Sequence, residues 1–395
     1  MKRRLLIAWL LTLGSVFGQE PFRPKVGTFT PLEKGKVYSG ELVYVDHVNR
    51  RGSLRLHVND HYHEGKLHHF AMLPDGLVRF QGAPASLKDI PLGTVLTGRF
   101  FLPPDPKLSV VPVVDPRRKD VTRPLENYAL LLEDQMSLCL REKRAWTIKE
   151  VHVKGMSVEL KLQREGDGPS DAWVGEQKVT VDDSTRIWRG RELLTVSDLV
   201  GDGTWPKNGT KNPGVAKVHV GLTWHPRYLY EQFHLSDLWL DEVSVNEAIK
   251  RQTGKNVRHV KMRWMPALVE EVSNGKNGQA VVTATLFGGR AESLYADFKK
   301  GSGAQMAAAE TTLRTWWPDH DGMDGRLIEV TRVTESVPFG SSGIRIKFDT
   351  ELVLEGFRPG RIVKVRSHAW PKVKPPYEEL IKSPADRWPT WEGAK

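Results

Sequence analysis

Cysteine is nearly absent from this 395-residue chain, with Cys139 the single example. No internal disulfide can form, so stability must come from hydrophobic cores rather than covalent staples. Cys139 sits in the apolar run Met136–Leu140 and reads as a small buried hydrophobe. Beyond residue 18 there is no apolar stretch of membrane-spanning length. Also missing are a nucleophile-elbow serine, a paired-histidine metalloprotease helix, a phosphate loop and a dinucleotide fingerprint. These absences remove the recognisable hydrolases, nucleotidases and dehydrogenases. They favour a non-enzymatic binding or scaffold role, with catalysis on an unfamiliar scaffold ranked behind it.

The N-terminus carries a clear address. Lys2, Arg3 and Arg4 precede an apolar run from Leu5 to Phe17, and Val16 and Gly18 occupy the −3 and −1 positions of a small-residue cleavage site. That is the layout of a secretory signal peptide, so the mature chain is expected to begin near Gln19, in the periplasm or outside the cell. Loss of the three leader cations takes the formal charge from +10 to +7. A basic exported protein points to an anionic polymer, a glycan or an envelope protein as partner; export counts against nucleic acid in vivo. Hydrophobic residues at 39% with charged residues at 27% indicate a folded chain rather than a disordered one.

Period-two alternation bounded by Gly, Asn and Pro predicts four β-hairpins. They run from Glu41–Val45 to Leu54–Val58, from Ile148–Val153 to Val158–Leu162, from Leu268–Val272 to Val281–Leu286, and from Ile328–Val333 to Ile344–Phe348. In three places a short turn element follows, at Leu87–Gly93, Val196–Asp202 and Gly356–Gly360, ahead of another strand. Hairpin, turn and closing strand are the ingredients of a small, partly open barrel. The fold class expected is mainly β, with about three such units and a few short helices.

The segment Thr180–Ile187, followed by Ser197-Asp198-Leu199, resembles exported bacterial small-barrel domains of the oligonucleotide/oligosaccharide-binding type. The resemblance implies a fold more than a function, because such folds host many activities. The breaks divide the chain into a leader (1–18), an N-terminal extension (19–37), a first barrel unit (38–102), a Pro-rich linker and helix (103–144), a second unit (145–234), a connecting helix (235–254), a third unit or units (255–370) and a tail (371–395). Helical spacing covers Leu125–Glu142. A further helix is expected from Leu238 to about Gln252, ended by Gly254, and a short Ala-rich one over Gln305–Leu313.

Two local chemistries stand out. Five of the thirteen histidines fall within His57–His69. His57, His61, His63 and His68 are candidate zinc or copper ligands, although their spacing matches no standard zinc signature and a polar hairpin explains it as well. A metal-binding exported protein is the alternative reading; no other cofactor is indicated. Farther along, Arg258, Lys261 and Arg263 flank His259 and Trp264. If Val260, Met262 and Trp264 face a core on a strand, Lys261 and Arg263 share the other face and can track a polyanion. Trp316 and Trp317 are adjacent, so one strand cannot turn both inward; they are candidates for stacking on a ligand.

Overall fold

The computed structural model describes residues 22–47, 50–56, 67–103, 126–155, 157–166, 176–214, 216–224, 233–275, 279–308 and 322–373. The protein is mainly β and contains three small closed barrels. The first comprises β1 (Lys36–Asp46), β2 (Arg51–Leu56), β3 (Leu67–Phe80), β5 (Val95–Phe101) and β6 (Asn127–Asp134), with the short β4 (Ala83–Ala85) attached to β3. Its ring runs β1-β2-β3-β6-β5 and returns to β1; only the β3–β6 pairing is parallel.

The second barrel repeats that connectivity. Its ring is β7 (Trp146–Lys154), β8 (Ser157–Arg164), β9 (Glu176–Val181), β14 (Phe233–Trp239) and β13 (Ala216–Trp224), closing on β7. Again the third and last strands, β9 and β14, pair in parallel. The short β10 (Arg186–Arg189) and β11 (Glu192–Leu194) form a hairpin beside β14, and β12 (Gly209–Lys211) pairs with β7. The third barrel has six antiparallel strands: β15 (Met265–Asn274), β16 (Ala280–Phe287), β19 (Ser341–Thr350), β18 (Met323–Arg332), β17 (Gly303–Ala308) and β20 (Ile362–Ser367).

All four hairpins expected from the alternation are present as antiparallel pairs. On β8 the cause is plain: Val158, Leu160 and Leu162 point into the core while their neighbours are solvated. The barrels are closed rather than partly open, and the first strand of each shows how. β1, β7 and β15 carry bulges at Leu42/Tyr44, Ile148/Glu150 and Val269/Glu271. Before the bulge each strand pairs with the closing strand of its ring. A bulge bends and twists a strand, which lets one strand serve both partners.

The three turn elements precede closing strands as expected. Ser86 and Asp89 form a reciprocal capping box, as do Thr195 and Asp198. Leu87, Leu199 and Phe357 then plug the three barrels, each almost fully buried. Cys139 is buried on α1 (Gln135–Arg141), and burial pushes its thiol up to about 11.

Three expectations need correction. Asn127–Asp134 is a strand, and only Gln135–Arg141 is helical. Gly303–Ala308 is a strand despite its alanines, because pairing with both β18 and β20 outweighs helix propensity. The connecting helix α3 starts later and ends later than expected, at Glu242–Arg263. Two shorter helices are α2 (Val196–Gly201) and α4 (Glu292–Tyr295).

Asp241 caps α3: one carboxylate oxygen accepts from Ser244 N–H at 2.7 Å, the other from Gly190 N–H in the β10–β11 turn at 2.8 Å. Asp134 does the same for α1, accepting from Ser137 N–H and from Gln81 N–H in the β3–β4 turn. An Asp-x-x-Ser cap thus also clamps a hairpin in both of the first two barrels. Asp241→Ala is expected to cost about 2 kcal/mol in chemical denaturation, the upper range for a lost cap. Asp241→Asn, which keeps the cap acceptor but presents an amide to Gly190 N–H, should recover about half.

Candidate anion site at the barrel junction

The first and third barrels meet through glycines. Between Met72 and Leu77, β3 leaves its register with β6. The irregular stretch of β3 so formed touches the third barrel at Gly289 and Gly340, both at positive φ. A Cβ at Gly289 would lie 2.5 Å from Leu77, and one at Gly340 would lie 2.9 Å from Asp75. Only glycine permits both the backbone conformation and the approach.

Basic side chains from distant parts of the chain converge on this junction. His47 directly follows β1, and Arg50 lies in the turn before β2. Arg50 donates to the carbonyls of Leu73 at 3.1 Å, Pro74 at 3.2 Å and Gly76 at 2.8 Å, holding this stretch of β3. Lys88 comes from the capped turn of the first barrel, His259 and Arg263 from the last turn of α3, and Arg290 from the loop after β16. Lys364 projects from β20 and has no solvent exposure. Trp264 follows α3 at φ 64° and ψ 163°, a conformation that is costly for any residue but glycine. With His47, Arg50, His259, Arg263 and Arg290 it lines a pocket whose enclosed part is about 40 Å³. That exceeds the room a single water needs and suits a small polar group, not a sugar or a base.

Positive groups act on one another across the junction, with Asp75 and Asp89 opposing them. Burial and then the charges of Arg50, Arg290 and Arg263 hold the Lys364 amine well below its ordinary value. Burial, followed by Arg263, Lys88, Arg290 and Lys364, drives His259 far down as well. Arg263 sits 2.6 Å from His259 Nδ1, which as a neutral ring nitrogen accepts from the guanidinium. Desolvation and Arg290 lower Arg50 to about 9, with Asp75 opposing. Desolvation lowers Arg263 to about 10, with Asp89 opposing. Asp75 itself is raised to about 6 by burial. Asp89 is already engaged in the capping box and with Gln252. Arg290 Nε is buried with no hydrogen-bond partner among the described residues. Cations held this close in a poorly solvated pocket repel one another, and an anion there relieves the repulsion.

The expected site residues are distributed differently from the sequence reading. Arg258, Lys261 and Arg263 lie on α3, not on a strand, so Lys261 and Arg263 do not share a face. Arg263 enters the junction. Lys261 pairs with Asp297 at 3.2 Å and lies over the Trp370 ring, while Arg258 is exposed. Trp316 and Trp317 lie outside the described residues, as do His57, His61 and His63. His68 is described: it pairs across from Leu54, and its ring packs between Tyr38 and Phe100 at centroid distances of 4.7 and 4.6 Å. Burial lowers it to about 4. Among the described residues no group of three or more His, Cys, Asp or Glu could hold a metal ion. Nor is any helix there long and apolar enough to cross a membrane.

Arg50, Lys88, Arg290 and Lys364 were not singled out by the sequence reading. The one local signal was Lys364 within Ile362–Ser367, a basic residue on a short apolar strand whose outer face turns out to be covered. No protein-family description, curated protein or solved structure matches the chain.

Proposed function

We propose that this is an exported, non-enzymatic binding protein that captures an anionic group at the junction of its first and third barrels. The observation that carries the reading is the convergence of Arg50, Arg263 and Arg290 on one pocket, with Lys364 close enough to feel all three and Arg290 Nε buried without a hydrogen-bond partner among the described residues. The small enclosed volume favours a single phosphate, sulfate or carboxylate group projecting from a larger polymer or glycan. The connectivity of the first two barrels, with third and last strands parallel, supports the oligonucleotide/oligosaccharide-binding type of barrel. The basic leader and apolar run of the first eighteen residues support export, which favours an envelope or extracellular polyanion over nucleic acid.

The test is calorimetric titration of the mature protein with pyrophosphate and with a sulfated glycan. Saturable binding that weakens steeply with added salt is expected, since displaced counterions and screening oppose the charged contact. Absence of binding to both at low salt overturns the reading.

The titration with the sulfated glycan carries a pH prediction, because sulfate esters stay ionised throughout the range. His259, Lys364 and Arg50 are held below their ordinary values in the free protein, chiefly by burial and by one another's charge. An anion favours their protonated forms, so binding takes up protons and affinity must rise as pH falls from about 9. Asp75, opposite Arg50, gains a proton over the lower part of that range and adds to the trend. Proton uptake is read from the dependence of the binding heat on buffer ionisation enthalpy, and a net release would contradict the assignment.

A further inference from the structure

A second cavity borders the same irregular stretch of β3, at Leu73, Pro74 and Asp75. Residues 22–30 form a strap that runs from the first barrel over the outer face of the third. Phe22 packs edge-on to Phe101, Phe29 packs edge-on to Phe287, and Thr30 N–H donates to Asp75 Oδ2 at 3.2 Å. At its centre Gly27, at φ 74°, crosses Gly360; a Cβ there would lie 2.8 Å from the Gly360 Cα. The strap is therefore pinned at both ends and in the middle. Beneath it the outer face is apolar. Ala267 and Val269 point into the barrel, which turns Leu268 outward to meet Phe287 and Ile362. Strap and barrel do not close on each other, and a cavity of about 310 Å³ remains. That is the size of a small-molecule site.

We propose that this cavity binds a small anionic amphiphile, its apolar body on Leu268, Phe287 and Ile362 and its carboxylate toward Lys25 and Arg361. Apolar walls supply the affinity, because an apolar body seated on them removes their surface and its own from water. The two cations that line the cavity supply the sign of the head group. Asp75 also lines it, but one oxygen is occupied by Thr30 N–H and Arg50 stands behind it, so the carboxyl contributes little repulsion. The proposal does not rest on the anion site at the junction, although Asp75 borders both.

Decanoate, decanol and decylamine distinguish the parts of this claim. Calorimetry of the mature protein should show one saturable decanoate site per chain, with decanol about tenfold weaker for lack of a charge-assisted contact and decylamine weaker still. Leu268→Trp fills the cavity, and Val26→Asp places a carboxylate on its exposed strap wall. Each should weaken decanoate by about tenfold or more and leave pyrophosphate binding unchanged. Val26 is on the surface, so that variant tests the site even if Leu268→Trp fails to fold. No saturable binding, equal binding of all three probes, or decanoate binding that survives in the folded variants overturns the proposal.

Discussion

Replacement of Arg290 by methionine is expected to weaken pyrophosphate binding by about tenfold to a hundredfold, the loss of one charged hydrogen bond of roughly 1.5–3 kcal/mol. The variant should also fold at least as well as the parent. Arg290 adds its charge to those already acting on Lys364, His259 and Arg50, and all three respond by losing affinity for protons. Its Nε has no partner within the described protein to lose. Deleting the guanidinium therefore relieves repulsion in the free state and removes a donor in the bound state. Arg290→Lys separates charge from geometry: a point charge restores attraction but not a planar pair of donors, so affinity should recover only in part. The salt dependence should fall by about one charge in the methionine variant and not in the lysine variant. Unchanged affinity in Arg290→Met would remove the junction as the anion site.

The hairpins could be read in advance because a barrel strand writes its inward face into every second residue, as in Val158, Leu160 and Leu162. Closure could not be read. It depends on bulges at single positions such as Leu42/Tyr44, which leave the alternation almost intact. The end of α3 was misplaced for a different reason. Gly254 looks like a terminator, yet it does not take the positive φ of a C-cap glycine, and the helix continues through it. The cost of a mid-helix glycine is about 1 kcal/mol, and the burial of Gln252, Asn256 and Val260 around it holds the helix together. Once that segment is helical, His259 and Arg263 fall one turn apart and meet, while Lys261 is carried away to Asp297. The anion site was illegible because its members span His47 to Lys364. No window of sequence contains them, and the packing of β3 at Asp75 and Leu77 on Gly340 and Gly289 assembles them.

Trp239→Ala is expected to destabilise the protein by about 3–5 kcal/mol, the range for truncating a fully buried aromatic. Trp239 ends β14, and its indole packs with Met136 and Leu140 of α1 and with Val245, Ala248 and Ile249 of α3. It thereby joins the second barrel to both helices. α3 also packs on β4 of the first barrel through Gln252, and Val260 near its C-terminus enters the core of the third. Loss of Trp239 should therefore be transmitted along α3 to Arg263, so anion affinity falls together with stability. Trp239→Phe discriminates between volume and polarity. The indole Nε1 is buried with no partner among the described residues, so phenylalanine gives up some volume but also removes an unsatisfied donor. Its cost should stay below about 1.5 kcal/mol. Equal losses for alanine and phenylalanine would show that the indole nitrogen, and not the packed ring, holds the helices to the barrel.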